Sequence, residues 1–295
     1  MSSLASPPGS YVNRSGMTLS YGVKGSGDIL VCHPGGPGFS SVCLRDLGGL
    51  DSARTLVLLN PRGTAESDRP ADPRAYALED YVHDLEDLRL HLGLESIDLL
   101  GQSHGGMVAM DYASRYPSRV SQLVLLSTLP RFAGAPKEAM EAAIARRSAE
   151  PRYQDAVAAM QGDDEGGVIT DEEWNAQWRR ALYLYFAKVG EIELAYIESW
   201  RDDRVNADAA RLFGDEIIET FDLRPGLSRI TARTLVVVGE HDFIAGPVCG
   251  AAIMAGIPAA ELVTLPAGHF VFIECPDAFR AAALRFLAKA SSDQT

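Results

Sequence analysis

The sequence predicts an α/β fold, with a mostly parallel central sheet flanked by helices and an inserted all-helical cap. Short apolar runs bounded by turn residues recur along the chain, which is typical of strands buried on both faces of a parallel sheet. Segments with apolar residues at helical spacing lie between these runs and favour right-handed strand–helix–strand units. The alternation stops between about residues 129 and 229, where only helical patterns occur.

The strand and helix candidates follow one another in a regular order. The strand candidates are an edge strand at 17–23 and buried strands at 28–33, 54–60, 96–101, 121–127, 233–240 and 261–266. The helix candidates are 78–94, 106–117 and 278–290 outside the interruption, and 136–150, 170–189, 191–200 and 206–217 inside it. Thr170 with Glu173 three residues later forms a capping box, which predicts where one of these helices begins. The pattern divides the chain into a core domain of residues 1–128 and 230–295 and a helical cap domain of residues 129–229.

The composition limits the compartment and the partners. The chain has 295 residues, of which 46% are hydrophobic and 23% charged, and its formal net charge is -13. Nucleic acids and anionic membranes attract basic surfaces, so this charge argues against both as partners. The amino terminus lacks a basic stretch followed by an apolar one, and no apolar run approaches the ~18 residues of a membrane span. The four cysteines form no Cys-x-x-Cys pair. We therefore expect a cytoplasmic protein with free thiols.

A Gly-x-Ser-x-Gly motif lies where a buried strand gives way to a helix. It comprises Gly101, Ser103 and Gly105. A serine on a tight turn in this context is typical of a nucleophile, because the turn lifts its hydroxyl clear of the sheet. The alternative is a strand-to-helix loop in which the serine only caps the helix.

A serine hydroxyl is a weak nucleophile unless a base, held by a third group, removes its proton. Asp242 follows a buried strand, and His269 lies in a loop just after the last strand. The carboxyl ends of neighbouring strands converge at one edge of a sheet, so we expect Asp242 as the acid and His269 as the base. Glu240 and His241 adjoin Asp242 and remain rivals for its role, and His269 could instead be an ordinary loop histidine.

The segment "HPGGPG", residues 33–38, cannot form regular structure. It can present a bare backbone N–H beside the serine. We expect the N–H groups of Gly36 and His104 to form an oxyanion hole, although a plain turn is the alternative for the glycine loop.

On these motifs the chain resembles α/β-hydrolases of the proline iminopeptidase group. That group carries His-Gly-Gly-Pro-Gly, then Asp-x-Arg-Gly-x-Gly-x-Ser, the serine motif, an Asp after a later strand and a late His. The segments "HPGGPG" and "NPRGTAESDRP" match the first two motifs. Ser103, Asp242 and His269 follow in the order of the serine, Asp and His of the group. The departures from the group's pattern are Pro34, Asn60, Ala65 and His104. The resemblance implies the α/β-hydrolase fold, a cap over the active site and serine-dependent hydrolysis.

An aminopeptidase must bind a protonated amine, which carboxylates reaching down from the cap would do. The candidates for substrate contacts are Gly35 in the glycine loop and, in the cap, Glu173, Trp174, Glu193 and Glu198. Solvated helix faces and packing inside the cap are the alternatives for the cap residues.

The sequence thus predicts a serine hydrolase that works through an acyl-enzyme and releases an N-terminal residue, such as proline, from small peptides or amides. The alternative is a carboxylesterase or lactonase for small apolar esters. A ligand-binding receptor of this fold that keeps the triad and turns over its ligand slowly also fits the sequence. Epoxide hydrolases and dehalogenases do not fit, because they need Asp at the position of Ser103. We expect no cofactor and no metal, because no dinucleotide-binding, Walker A or metal-ligand motif occurs.

Overall fold

The computed structural model describes residues 6–162 and 170–288, and an eight-stranded sheet forms its centre. The strands are β1 (Ser6–Val12), β2 (Thr18–Lys24), β3 (Ile29–His33), β4 (Thr55–Leu59), β5 (Ile97–Gln102), β6 (Val120–Leu126), β7 (Arg233–Gly239) and β8 (Ala260–Leu265). They lie in the order β1-β2-β4-β3-β5-β6-β7-β8. β2 pairs antiparallel with β1 and β4, and every other pair is parallel. The predicted α/β fold with a mostly parallel sheet is confirmed.

Helices cover both faces of this sheet and fill the interval between β6 and β7. They are α1 (Leu78–His91), α2 (His104–Arg115), α3 (Ala135–Ser148), α4 (Gln154–Gln161), α5 (Asp171–Ala181), α6 (Glu191–Glu198), α7 (Ala207–Leu212), α8 (Arg224–Leu227), α9 (Pro247–Gly256), α10 (Val271–Glu274) and α11 (Pro276–Leu287). One apolar core joins the sheet to α1, α2 and α9, and a second joins it to α11 and to the helices between β6 and β7. Within the two described ranges, no helix is both long and apolar enough to cross a bilayer.

The alternation of side chains along β3 shows how the sheet separates the two cores. Val31 points into the core with α1 and α2, whereas Leu30 and Cys32 point into the other, because successive side chains of a strand face opposite sides. All three are fully buried. This explains why the run is apolar throughout rather than alternating.

The helices between β6 and β7 differ in detail from those predicted. The helix expected at 170–189 is shorter: α5 ends at Ala181, and a 3-10 turn, Leu182–Tyr185, follows it. α4 was not predicted at all. The entry and exit of this region pair through a β-bridge between Arg131 and Asp222. The division into a core domain and a cap at residues 129 and 229 stays a prediction.

Candidate active site

Ser103 occupies the turn between β5 and α2 in a strained backbone conformation. Its φ of 54° and ψ of -120° lie outside the regions that a serine ordinarily adopts. Strain of this kind persists only where the surroundings enforce it. Gly105 is one such constraint, since a Cβ there would lie 2.4 Å from the carbonyl oxygens of both His33 and Pro34. The motif therefore needs glycine for close packing against the end of β3.

Hydrogen bonds with the end of β6 and with Thr128, two residues after it, hold this turn. The Ser103 N–H donates to the Leu126 carbonyl at 2.9 Å. The hydroxyl of Thr128 donates to the Ser103 carbonyl at 2.7 Å. Thr128 was not among the predicted site residues, since nothing in its local sequence marks it out.

Asp242 and His269 form a buried hydrogen-bonded pair. His269 Nδ1 lies 2.8 Å from Asp242 Oδ2. The other oxygen of Asp242 accepts from the N–H groups of Ile244 and Ala245 at 3.0 and 3.1 Å. Burial alone would raise the pKa of Asp242, but the His269 ring and the two N–H donors hold this pKa below its ordinary value. An ionised Asp242 fixes the ring with Nδ1 protonated, which leaves Nε2 free to accept a proton.

Glu240 and His241, the rivals for the role of Asp242, lie at the surface. Glu240 and His241 are exposed, whereas Asp242 and His269 are 8% and 2% exposed. The carbonyl of Tyr185, in the 3-10 turn, accepts from the His269 N–H at 2.6 Å. The Tyr185 ring packs edge-on against the imidazole at 5.2 Å between centroids. The region between β6 and β7 thus contacts the base directly.

The backbone N–H groups of Gly36, which lines the same cavity as Ser103, and of His104, which follows Ser103, have no acceptor within the described part of the chain. The glycine loop approaches the serine closely, because a Cβ on Gly35 would lie 2.2 Å from Gln102 Oε1 and 3.1 Å from Ser103 Cβ. The ring of His104 packs edge-on against Tyr81 and is buried away from solvent. The buried ring leaves the N–H as the group that His104 can offer the site, and its role in an oxyanion hole stays a prediction.

Ser103 and His269 open onto one cavity of about 630 Å³. Gly35 and Gly36 line the same cavity. Most of its remaining wall is aromatic or aliphatic, with Phe39, Met107, Leu129, Phe132, Met140, Trp174, Trp178, Tyr185, Trp200, Phe213, Ile218, Ile244 and Phe270. Trp174 stacks on Phe39 with 4.7 Å between ring centroids. Trp174, one of the predicted substrate contacts, thus lines the cavity, and its contact with substrate stays a prediction.

The three predicted cap carboxylates do not reach this cavity. Glu173 is exposed and closes the capping box of α5 by accepting from the Thr170 N–H at 2.8 Å. Glu193 accepts from the N–H of Gly190 at 2.7 Å and so caps α6. Glu198 is exposed and pairs with Arg201. These expectations need correction, because helix capping and surface pairing use the carboxylates that the sequence offered for substrate.

The carboxylates that do line the cavity lie at its exposed rim. Asp215 has no ion-pair partner among the described residues. Glu219 pairs with Lys137 at 2.7 Å. Each lies two residues from a phenylalanine, Phe213 or Phe221, so proximity to an aromatic residue could not separate them from Glu173, Glu193 and Glu198. Among the residues described, no group of three His, Cys, Asp or Glu side chains could hold a metal ion.

Comparison with known proteins assigns the family. The family model described as alpha/beta hydrolase fold matches residues 28–276. Proline iminopeptidase PfmaB from Pestalotiopsis fici is 27% identical over 277 residues, which are 90% of this chain and 95% of that protein. A hydrolase of known structure from Pseudomonas aeruginosa is 25% identical with a TM-score of 0.71, over 97% of this chain and 100% of that one. The enol-lactonase from Burkholderia xenovorans LB400 is 24% identical with a TM-score of 0.72, over 95% and 100% of the two chains, and shares the fold.

Proposed function

Because the chain belongs to the α/β-hydrolase family, we propose that it is a serine hydrolase with Ser103 as nucleophile, His269 as base and Asp242 as acid. The observation that carries the proposal is the buried Asp242–His269 pair, whose histidine shares a cavity with the strained serine. A helix cap would need neither the positive φ of Ser103 nor a histidine held by a carboxylate.

The proposed reaction has two halves. Ser103 Oγ attacks the carbonyl carbon while His269 Nε2 takes the hydroxyl proton and then delivers it to the leaving oxygen or nitrogen. The acyl group remains on Ser103 as an ester until water, deprotonated by His269, attacks the ester carbonyl carbon. The C–Oγ bond then breaks, and His269 returns the proton to Ser103 Oγ. The N–H groups of Gly36 and His104 stabilise the oxyanion in both halves, which is worth ~3–4 kcal/mol per donor in related chemistry.

The first specificity to test is release of an N-terminal residue such as proline from small peptides or amides. The relative from Pestalotiopsis fici, which bears the name of a proline iminopeptidase, aligns over nearly all of this chain and supports this choice. Asp215 is the carboxylate of the cavity rim that is free to receive a protonated amine.

Hydrolysis of small apolar esters or lactones is the second candidate. The wall near Ser103 consists of uncharged groups, including Phe39, Met107 and Phe270, and the charged side chains of the cavity gather at its rim. An uncharged acyl group would enter such a site without the desolvation cost that a charged group pays.

The test compares wild type with Ser103→Ala on proline p-nitroanilide and p-nitrophenyl butyrate. Ser114→Ala is the matched control, since Ser114 lies in α2, the helix that follows Ser103, and its hydroxyl donates only to the Asp111 carbonyl. We expect a loss of at least about 10⁴-fold in Ser103→Ala and none in the control. Turnover of the anilide supports the aminopeptidase, and turnover of the ester alone supports the esterase. Equal activity in Ser103→Ala and wild type would refute the nucleophile.

A further inference from the structure

Two charged side chains flank the Asp242–His269 pair, and neither has an ion-pair partner among the described residues. Arg147 belongs to α3, and Glu274 ends α10. Both are partly buried, so each gives up hydration without forming a direct ion pair among the described residues. This loss of hydration must be offset by other contacts of the two side chains, among them their hydrogen bonds.

Arg147 joins the 3-10 turn to the acid loop. Its guanidinium donates to the carbonyls of Leu184 and His241, the latter at 3.4 Å. His241 immediately precedes Asp242. The same guanidinium lies over the rings of Tyr153 and Phe243, at 5.5 and 5.4 Å from their centroids. The planar fork of arginine suits two carbonyls on different segments, which a lysine ammonium could not span in the same way.

Glu274 makes the complementary connection to the base loop. One oxygen accepts from the N–H groups of Ala187 and Lys188 at 2.9 and 3.3 Å. The other accepts from the N–H of Gly268 at 2.6 Å. Gly268 immediately precedes His269, and a Cβ on it would lie 2.2 Å from the Tyr185 carbonyl.

The two side chains therefore hold one segment, residues 184–188, from its two ends. Arg147 binds the first carbonyl of this segment, and Glu274 binds its last two N–H groups. Between them, Tyr185 accepts the hydrogen bond of the His269 N–H. Each charged group also binds the residue just before a member of the acid–base pair.

We propose that Arg147 and Glu274 are positioning residues that clamp the 184–188 segment against the acid and base loops and thereby align His269 with Ser103. This proposal rests on the function proposed above. It assigns to the region between β6 and β7 a role in assembling the acid–base pair, besides covering the cavity.

The test uses Arg147→Met, Arg147→Lys, Glu274→Gln and the Arg147→Met/Glu274→Gln double variant. Arg146→Met is the control for the arginine, because Arg146 is the exposed neighbour on the same helix. Asp277→Asn is the control for the carboxylate, because Asp277 is exposed and lies three residues further along the chain. Initial rates with p-nitrophenyl butyrate give kcat and KM, and thermal melts give Tm.

We expect kcat to fall about 10- to 100-fold in Arg147→Met and in Glu274→Gln, with KM within about threefold of wild type, because misplacement of a base slows the chemical step. Arg147→Lys should recover part of the loss. The double variant should be little worse than the poorer single variant, since either loss frees the same segment. Unchanged kcat in both single variants, or losses that simply multiply in the double variant, would overturn the clamp.

Hydrogen exchange followed by mass spectrometry provides a readout that needs no substrate. Peptides covering 182–188, 240–245 and 266–270 should exchange faster in Arg147→Met and Glu274→Gln, while peptides from β5 and α9 keep the wild-type rate. Faster exchange throughout the chain would indicate general destabilisation and contradict the proposal. If the wild type hydrolyses nothing and a fluorophosphonate fails to label Ser103, the proposed function fails, yet exchange still decides whether the clamp exists.

Discussion

His33 is a buried histidine at the end of β3, beneath the serine turn. Its Nδ1 lies 3.0 Å from the Pro34 carbonyl oxygen, and its ring packs edge-on against Tyr81. Burial lowers the pKa of His33 to about 4, and the contact with the Pro34 carbonyl only partly opposes this. Burial likewise lowers the pKa of His104 to about 3. Both rings are therefore neutral in the folded protein at neutral pH.

These two histidines should make the protein less stable as the pH falls. The unfolded chain takes up a proton at each site below about pH 6.5, whereas folded His33 does so only near pH 4. The folded state therefore loses about 1.4 kcal/mol per pH unit from His33 across this interval, or about 3 kcal/mol in all. His33→Gln should remove that part of the slope, measured by urea unfolding between pH 7 and 4. If His33→Gln instead keeps the wild-type slope, His33 is not a buried neutral ring.

At the same scale, the sequence could predict the triad candidates but not the residues that position them. Ser103, Asp242 and His269 each follow a strand with a local apolar pattern, and parallel strands bring their carboxyl ends together. Arg147 and Glu274 carry no such mark. Their partners are backbone carbonyl and N–H groups far along the chain, which every residue possesses, so no residue type reveals the contact in advance.

At the scale of secondary-structure elements, the strand–turn–helix of β5 and α2 leaves no room for a side chain at position 105. Gly105→Ala places a methyl group against the carbonyls of His33 and Pro34, which belong to backbone and cannot rotate away. We expect a loss of about 2–4 kcal/mol in the free energy of unfolding, and a fall in kcat of about 100-fold if the serine shifts by about 1 Å. Chemical denaturation and initial rates measure the two effects.

Gly22→Ala in β2 is the control for this substitution. A Cβ on Gly22 would meet only the Leu58 Cβ, at an ordinary 3.9 Å. Its stability should stay within about 1 kcal/mol of wild type. Equal losses in the two variants would mean that general strand and helix preferences, rather than the close approach to β3, explain the glycine.

The helices between β6 and β7 show where prediction from the sequence ends at this scale. The capping box of Thr170 and Glu173 correctly marked the start of α5, since its contacts are local. The end of α5 at Ala181 was not foreseen, because the following turn is held by contacts from outside it. The Leu184 carbonyl binds Arg147, and the Tyr185 carbonyl binds the His269 N–H. Tertiary contacts of this kind override helix preference.

At the scale of the whole molecule, the cavity depends on how the region between β6 and β7 meets the sheet. Sequence could predict that this region is helical, but not which side of each helix faces Ser103. Trp174 lines the cavity, whereas its neighbour Glu173 caps the helix, and contact of Trp174 with substrate stays a prediction. The cavity is consequently more apolar than the many carboxylates of the region suggested.

Trp174 should set the length of acyl group that the cavity accepts. Its indole stacks on Phe39, which follows the glycine loop, and lies 5.8 Å from the Trp178 ring, so it fills space between that loop and α5. Trp174→Ala would open this space to a longer chain. We expect the ratio of kcat/KM for p-nitrophenyl octanoate to that for the butyrate to rise about tenfold. Each additional methylene group that a hydrophobic pocket accommodates contributes ~1–3 kcal/mol of binding energy.

Tyr183→Ala is the matched control for this change, because Tyr183 is an aromatic residue of the same region that does not line the cavity. Its octanoate-to-butyrate ratio should equal that of wild type. The same shift in both variants would mean that loosening of the whole region, rather than the space vacated by the indole, admits the longer chain. An unchanged ratio in Trp174→Ala would place the acyl group on another wall, and the aromatic residues Phe270 and Tyr185, nearer the base, would be the next to truncate.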